Sequence, residues 1–160
     1  MIETKYPMTQ AIRVLKDHNV PFVIHAYAYE EHGGTSVAAR DLGVDEHRVV
    51  KTLVMETDVR NPFIIIMHGD REVSTKALAR HLGVKTVSPC SPDTAAKHTG
   101  YLVGGTSPFG TRKPLKIYVE STVMDLPVIY INAGKRGLLA ELVPAELARI
   151  LNPEMVSAAV

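Results

Sequence analysis

A glycine-rich stretch at residues 100–113, GYLVGGTSPFGTRK, limits most strongly how this chain can fold. Four glycines and Pro108 within fourteen residues disfavour a regular helix or strand, so the segment must be a long loop. Glycine allows the backbone to approach a ligand closely, and consecutive N–H groups can surround an oxyanion or a phosphate. Long loops inside compact domains are often functional, which makes this loop the first candidate site; the simpler alternative is a wide turn between two strands.

Two common kinds of site lack their sequence signatures. Residues 105–110 have the G-x-x-x-x-G spacing of a phosphate loop, but Thr111 and Arg112 follow where that loop needs Lys and then Ser or Thr. The seven histidines do not pair with cysteine or acidic residues at metal-ligand spacing. We therefore expect no nucleoside triphosphate site, no metal and no cofactor.

The composition favours a single globular domain over residues 1–160. Hydrophobic residues make up 46% and charged residues 22% of the chain, and the net charge is only +1, so any RNA contact should be small and local. The first ten residues contain no apolar signal core, and the most apolar stretch, residues 63–67, is too short to span a bilayer. Because Cys90 is the only cysteine, no internal disulfide can form. These features predict a cytoplasmic protein with no membrane contact.

Hydrophobic periodicity predicts a mixed α/β fold with several consecutive strands in the second half. That order favours a mixed, curled β-sheet flanked by helices over a strictly alternating parallel sheet. The predicted helices are one ending near Asn19 and those at residues 37–42, 75–82, 92–98 and 145–151. The predicted strands are residues 22–29, 49–56, 63–68, 85–87, 115–120, 128–132 and 138–143.

Lys51 occupies an unusual position in the predicted strand 49–56. Strand alternation places it on the same face as Val49, Leu53 and Met55. An ammonium group on an apolar face is costly unless it meets an anion or a developing oxyanion, or unless its long stem carries the charge to water at an edge.

Cys90 has no sequence signal for a nucleophile and is predicted to be a packed thiol.

Three separated motifs resemble the YbaK/ProX family of aminoacyl-tRNA editing proteins. They are VKTLV at residues 50–54, GYLVGGTSPFG at residues 100–110 and GKRG at residues 134–137, in the order and spacing of that family. Pro21 and Phe22, with His25 and Tyr27 on the first strand, extend the resemblance over nearly the whole chain. The resemblance implies a barrel-like curled sheet of the prolyl-tRNA synthetase editing-domain type. It also implies a freestanding trans-editing factor that releases cysteine from mischarged tRNA(Pro).

The resemblance also assigns residues to roles. It implies that Lys51 is the essential residue and that Gly104 contributes its backbone to the reacting centre. The residues expected to contact the substrate are Tyr27, Thr52, Gly105, Thr106, Ser107 and Asn132. Four basic residues are candidates for holding the tRNA 3′ end, with a solvated rim as the alternative: Arg112, Lys113, Lys135 and Arg136. The implied partners are the aminoacyl-tRNA 3′ end and, as a second candidate, prolyl-tRNA synthetase.

The implied reaction for cysteine is substrate-assisted, because the cysteinyl thiol attacks its own ester carbonyl and leaves as a thiolactone. The sequence departs from the cysteine-specific pattern at three positions. Gly34 stands where those members carry phenylalanine, Asn132 where they carry serine, and Leu139 where they carry aspartate. Three alternatives therefore stay open: removal of alanine or another small residue by water attack, a catalytically silent binding module, and an unrelated enzyme that uses Lys51 as a Schiff-base nucleophile.

Overall fold

The computed structural model describes residues 6–160, which form a mixed α/β fold. No helix within this range is long and apolar enough to cross a bilayer. The helices are α1 (Gln10–Asp17), α2 (Gly34–Leu42), α3 (Thr75–Leu82), α4 (Pro92–Thr99) and α5 (Pro144–Leu151). The strands are β1 (Val23–Ala26), β2 (Val50–Thr57), β3 (Pro62–His68), β4 (Val87–Pro89), β5 (Lys116–Glu120), β6 (Ile129–Lys135), β7 (Leu138–Leu142) and β8 (Glu154–Val156).

The strands form two sheets rather than one. The larger has the order β4-β2-β3-β5-β8 and contains both parallel and antiparallel pairs, whereas the smaller has the order β1-β7-β6 and is antiparallel. A parallel bridge between Val49 and Tyr130 connects the two sheets. The prediction of a mixed sheet flanked by helices is confirmed, but the barrel-like closure is wrong, because the sheets meet at this bridge and do not close into a barrel.

Strand β3 is the centre of the larger sheet and divides two cores. Its residues after Pro62 are all buried, as its unbroken apolar run predicts. Ile64 and Ile66 belong to the larger core, where Ile12 of α1 also lies, while Ile65 and Met67 belong to the smaller core with α3. Burying each such side chain stabilises the fold by about 1.5–3 kcal/mol, which fixes β3 and the strand beside it.

Strand β2 has one edge that is only partly covered. Its other edge pairs with β3 along its length, from Val50 to Glu56. On the partly covered edge, β6 meets the chain at Val49 and β4 begins to pair only at Met55. Among the described residues, the short segment around Thr52 therefore lies in a gap between two strands. This gap leaves backbone and side-chain groups of β2 accessible from one side.

Candidate functional site

A cavity of about 790 Å³ lies beside the partly covered edge of β2, at the gap between β4 and β6. The β2 residues from Val50 to Met55 line it, together with residues from α2, the glycine-rich loop, β6 and β7. This volume is within the range of small-molecule binding sites. The site therefore combines an interrupted sheet edge with the loop that the sequence singles out.

Lys51 points into this cavity from the face of β2 that also carries Leu53 and Met55. Its side chain is 21% exposed, and its Nζ lies 3.9 Å from Oε1 of Glu72. The Glu72 side chain is 89% exposed, so water screens the attraction and the pair contributes little to stability. The predicted alternation is correct, and the Lys51 ammonium remains accessible to an incoming anion or carbonyl oxygen.

Thr52 brings unused hydrogen-bonding groups to the cavity. Its Oγ1 is buried yet has no hydrogen-bond partner within residues 6–160, which costs about 1–3 kcal/mol. The Val54 carbonyl accepts a hydrogen bond from the Cys90 N–H at 3.0 Å on the β4 side. Because alternate residues of an antiparallel strand point their N–H and C=O the same way, those of Thr52 also face the gap. A polar substrate could satisfy these groups.

The glycine-rich loop is pressed against its neighbours at two glycines. Gly104 has φ +95°, and a Cβ there would lie 2.7 Å from the Tyr29 hydroxyl. A Cβ on Gly105 would lie 2.8 Å from the Arg136 backbone nitrogen. At Gly105 the near atom is backbone, so a side chain does not fit there, and at Gly104 the positive φ strains any other residue.

The side chain of Asn132 on β6 helps to hold the loop in position. The amide of Asn132 donates to the Gly104 carbonyl at 3.0 Å and accepts from the Gly134 N–H at 2.8 Å. The Gly105 N–H donates within the loop to the Leu102 carbonyl at 2.8 Å, so it is not free for a substrate. The Gly104 N–H takes no part in the hydrogen bonds that hold the loop among residues 6–160.

The mouth of the cavity is bordered by Arg136 and Tyr29. The Arg136 Nε donates to the Val103 carbonyl at 2.9 Å, and its guanidinium lies 5.1 Å from the centre of the Tyr29 ring. Tyr29 and Glu72 both line the cavity but were not among the predicted site residues. The predicted strand 22–29 puts Tyr29 on the same face as Tyr27 and could have identified it, although β1 ends at Ala26, whereas no local pattern marks Glu72.

The structure brings only some of the predicted site residues together. Gly105, Ser107, Arg112, Lys113 and Lys135 do not line the cavity. Ser107 is fully buried, and its hydroxyl accepts the Phe109 N–H at 3.2 Å. The predicted residues that line the cavity are Tyr27, Lys51, Thr52, Gly104, Thr106, Asn132 and Arg136.

Arg112 and Lys113 lie next to the C-terminal end of α4. Their backbone N–H groups donate to the carbonyls of Thr99 and His98, and both residues are exposed. Pro92, at the other end of this helix, lines the cavity. Ala95, in the middle of the helix, also lines the cavity and lies about 6 Å along the axis from Thr99, to which Arg112 donates, so this basic pair lies about half a helix length from the cavity wall.

The residues that depart from the cysteine-specific pattern form part of the wall. Gly34 lines the cavity, and nothing lies within 4 Å of a Cβ built there, so the cavity is roomy at this point. Leu139 is 3% exposed and presents an apolar side chain. Burial raises the pKa of the Tyr27 phenol, which therefore stays protonated at neutral pH. These surroundings suit a small, largely apolar side chain.

Cys90 also lines the cavity but is poorly suited to be a nucleophile. Burial, and to a lesser extent the negative charge of Glu56, raises the pKa of its thiol to about 11. The thiolate is the nucleophilic form and is nearly absent at neutral pH.

In the part of the chain that the structure describes, one cluster of metal-ligand side chains occurs, and its residues do not line this cavity. His47, His68 and Asp70 place ligand atoms within 4.8 Å of one another. The two imidazole rings stack at 3.7 Å with an interplanar angle of 8°, so their in-plane lone pairs run parallel instead of converging on one ion. Both nitrogens of His68 are also engaged, with the His47 carbonyl and the Thr122 hydroxyl. This arrangement suits a packed hydrogen-bond network better than a metal.

Comparison with known proteins identifies the family. Residues 30–150 match the model of the aminoacyl-tRNA editing domain. The chain is 32% identical over 145 residues to EbsC of Enterococcus faecalis, a proposed Cys-tRNA(Pro)/Cys-tRNA(Cys) deacylase, covering 90% of this chain and 88% of that protein. It is 27% identical to a proline–tRNA ligase of Ligilactobacillus salivarius over 81% of this chain and 23% of the ligase.

A solved structure shows the same fold. The crystal structure of a proposed trans-editing enzyme for prolyl-tRNA synthetase superposes with a TM-score of 0.81 at 18% identity, covering 96% of this chain and 99% of that one. The family match spans the glycine-rich loop, Lys51 and all the residues that line the cavity except Tyr27 and Tyr29. The chain therefore belongs to the aminoacyl-tRNA editing domain family.

Proposed function

We propose that this protein is a trans-editing aminoacyl-tRNA deacylase whose first substrate is cysteine attached in error to tRNA(Pro). The observation that carries the proposal is the cavity that unites the Lys51 ammonium, the unpartnered Thr52 hydroxyl and the backbone of Gly104. Proline and cysteine are similar in size, and a binding pocket separates such neighbours by only about 10 to 200-fold. A second, cleaving site is therefore needed, and the family to which the chain belongs supplies such sites.

The proposed chemistry uses the substrate's own thiol. The cysteinyl sulfur attacks the ester carbonyl, a C–S bond forms, and the C–O bond to the terminal ribose breaks; the thiol proton passes to the departing ribose oxygen. Lys51 and the Gly104 N–H stabilise the carbonyl oxygen as negative charge develops on it. An aligned intramolecular attack gains about 7 kcal/mol or more from proximity. The enzyme then needs no nucleophile of its own, which agrees with the protonated Cys90.

A second candidate reaction is favoured by the cavity wall. Leu139 is apolar and the space at Gly34 is empty, so neither position offers a polar side chain to a cysteine thiol. Such a wall accepts alanine nearly as well as cysteine, because it has no group that an alanyl side chain leaves unpaired. Alanyl esters carry no thiol, and water would then be the attacking group.

The proposed tRNA contacts divide into two sets. Arg136 at the mouth and its neighbour Lys135 contact the phosphates nearest the aminoacyl ester, while Arg112 and Lys113 contact phosphates further along the acceptor end. Arg136 supports this division because it lines the cavity, and the other pair lies beyond the far end of α4. The similarity to proline–tRNA ligases makes tRNA(Pro) the first tRNA to test and prolyl-tRNA synthetase the first protein partner.

A panel of misacylated tRNAs tests this function. Purified protein is incubated with Cys-tRNA(Pro), Ala-tRNA(Pro) and correctly charged Pro-tRNA(Pro), and ester loss and the released product are followed. We expect rapid cleavage of the cysteinyl ester with thiolactone as the first product, slower cleavage of the alanyl ester, and little of the prolyl ester. Cleavage of the alanyl ester alone would contradict the thiol mechanism, and cleavage of none of a wider panel would contradict the function.

A further inference from the structure

Glu72 is a cavity residue whose backbone is fixed and whose carboxylate, among residues 6–160, is held only by a loose ion pair with Lys51. Its N–H donates to the Val160 carbonyl at 3.3 Å, and its carbonyl accepts from the Val160 N–H at 2.9 Å. Its side chain lines the cavity, is 89% exposed, and approaches Lys51 Nζ only to 3.9 Å. A carboxylate held at this place by its backbone is available to bind a cation at the solvent-exposed part of the cavity wall.

The aminoacyl ester carries such a cation next to its reacting bond. The covalent geometry of an α-amino acid places its ammonium nitrogen about 3 Å from its carbonyl oxygen. A carbonyl oxygen at Lys51 would therefore place the α-ammonium within reach of a carboxylate that lies 3.9 Å from Lys51 Nζ. We propose that Glu72 binds the α-ammonium group of the aminoacyl ester and so orients the carbonyl toward Lys51.

The other carboxylates that line the cavity are less suited to this role. They are Glu30 and Glu31, and Glu30 is already paired with Arg40 at 3.0 Å. Neither forms an ion pair with Lys51 within the described residues, whereas Glu72 does. Glu31 has no ion pair of its own among residues 6–160, which makes it the matched control. This inference rests on the proposed deacylase function and adds a substrate-positioning residue to it.

The test compares esters with and without the α-ammonium charge. Cys-tRNA(Pro) and Ala-tRNA(Pro) are each prepared in the free-amino and N-acetylated forms, and kcat/KM is measured for the wild type, Glu72→Gln and Glu31→Gln. We expect the wild type to prefer the free-amino ester by about 10-fold, since a charge-assisted hydrogen bond contributes that much. Glu72→Gln should lose this preference by slowing only the free-amino ester, while Glu31→Gln keeps it.

The outcomes separate this inference from the function on which it rests. If Glu72→Gln slows the free-amino and the N-acetylated esters equally, Glu72 acts by holding Lys51, and the ammonium role is overturned. The ammonium role is also overturned if Glu72→Gln still prefers the free-amino ester, or if Glu31→Gln is the variant that loses this preference. A wild-type protein that cleaves no aminoacyl ester overturns the proposed function and this inference together. Thermal melts should match throughout, because the exposed Glu72 side chain contributes little to folding.

Discussion

Thr52 has a buried hydroxyl without a hydrogen-bond partner among residues 6–160, and this makes it a test of function at the scale of one residue. Thr52→Val keeps the shape of the side chain and removes the buried, unsatisfied oxygen, so stability should stay equal or rise by about 1 kcal/mol. Deacylation should fall about 10-fold if the hydroxyl binds substrate, and Thr52→Ser should restore most of it. Thermal melts and single-turnover rates measure both quantities. An unchanged rate in Thr52→Val would remove Thr52 from the substrate contacts.

Cys90 permits a pH prediction from its thiol. Burial, then the charge of Glu56, raises its pKa from 9.0 to about 11, so between these values the unfolded chain loses a proton that the folded chain keeps. The contribution of this thiol to stability is therefore complete below pH 9 and is lost as the pH rises toward 11. Alkylation by iodoacetamide, followed by mass spectrometry, should accelerate only toward pH 11 in the folded protein. A midpoint near pH 9 in both folded and denatured protein would contradict the assigned environment.

The glycine-rich loop is the element whose position the site depends on most. A Cβ at Gly105 would lie 2.8 Å from the Arg136 nitrogen and 3.0 Å from the Lys135 carbonyl carbon, and neither backbone atom can yield without moving the loop. Gly105→Ala should therefore reduce deacylation at least about 10-fold, because small misplacements of a reacting geometry are costly. Gly83→Ala is the control, since Gly83 has φ +72° at the end of α3 with nothing nearby. It should cost about 1 kcal/mol of stability and leave kcat/KM unchanged.

Elements with local signals are the ones that the sequence predicts well. Helix α3 begins at Thr75 and ends at Leu82, as predicted, because its Ser74 N-cap and Gly83 C-cap are signals that act within one helical turn. Helix α2 begins at Gly34, three residues before the start predicted at residue 37, and the Thr35 hydroxyl inside it contacts Glu46 and the Gly69 carbonyl. Strand β8 has no local strand signal, since it exists through parallel pairing with β5, a distant segment. Tertiary contacts decide these two cases.

The site residues also divide into those with a local sequence signal and those that depend on tertiary contacts. Lys51 was found from strand alternation and the loop from its glycines, since both patterns are local. Glu72 and the gap at Thr52 depend on how β4 and β6 cover one edge of β2, which no short window of sequence contains. Asn132 lines the cavity and its amide also bridges Gly104 and Gly134, while its contact with substrate stays a prediction.

At the scale of the whole molecule, the net charge of +1 limits how tightly tRNA can bind. Few phosphates can be contacted, so binding should be weak and sensitive to salt. Replacing Arg112 and Lys113 with alanine should flatten the plot of log affinity against log salt by about one unit per lost contact. Lys85→Ala is the control, because Lys85 lies near the Val87–Thr57 pair at the far end of β2 from Lys51. An unchanged slope in the double variant would place the tRNA elsewhere.

The central claim is that Lys51 stabilises the reacting ester in a cavity that editing requires. Losing one preorganised donor to an oxyanion costs about 10² to 10³ in rate. Lys51→Met keeps the apolar stem of a side chain that is only 21% exposed, so the fold should persist. Lys51→Arg should also be impaired, because its larger planar group displaces the charge.

The most direct measurement is single-turnover deacylation of Cys-tRNA(Pro) by the wild type, Lys51→Met and Lys51→Arg, alongside thermal melts of all three. We predict cleavage by the wild type and a loss of at least about 10²-fold in Lys51→Met at an unchanged melting temperature. Full activity in a well-folded Lys51→Met protein would contradict the role of Lys51 and the mechanism built on it.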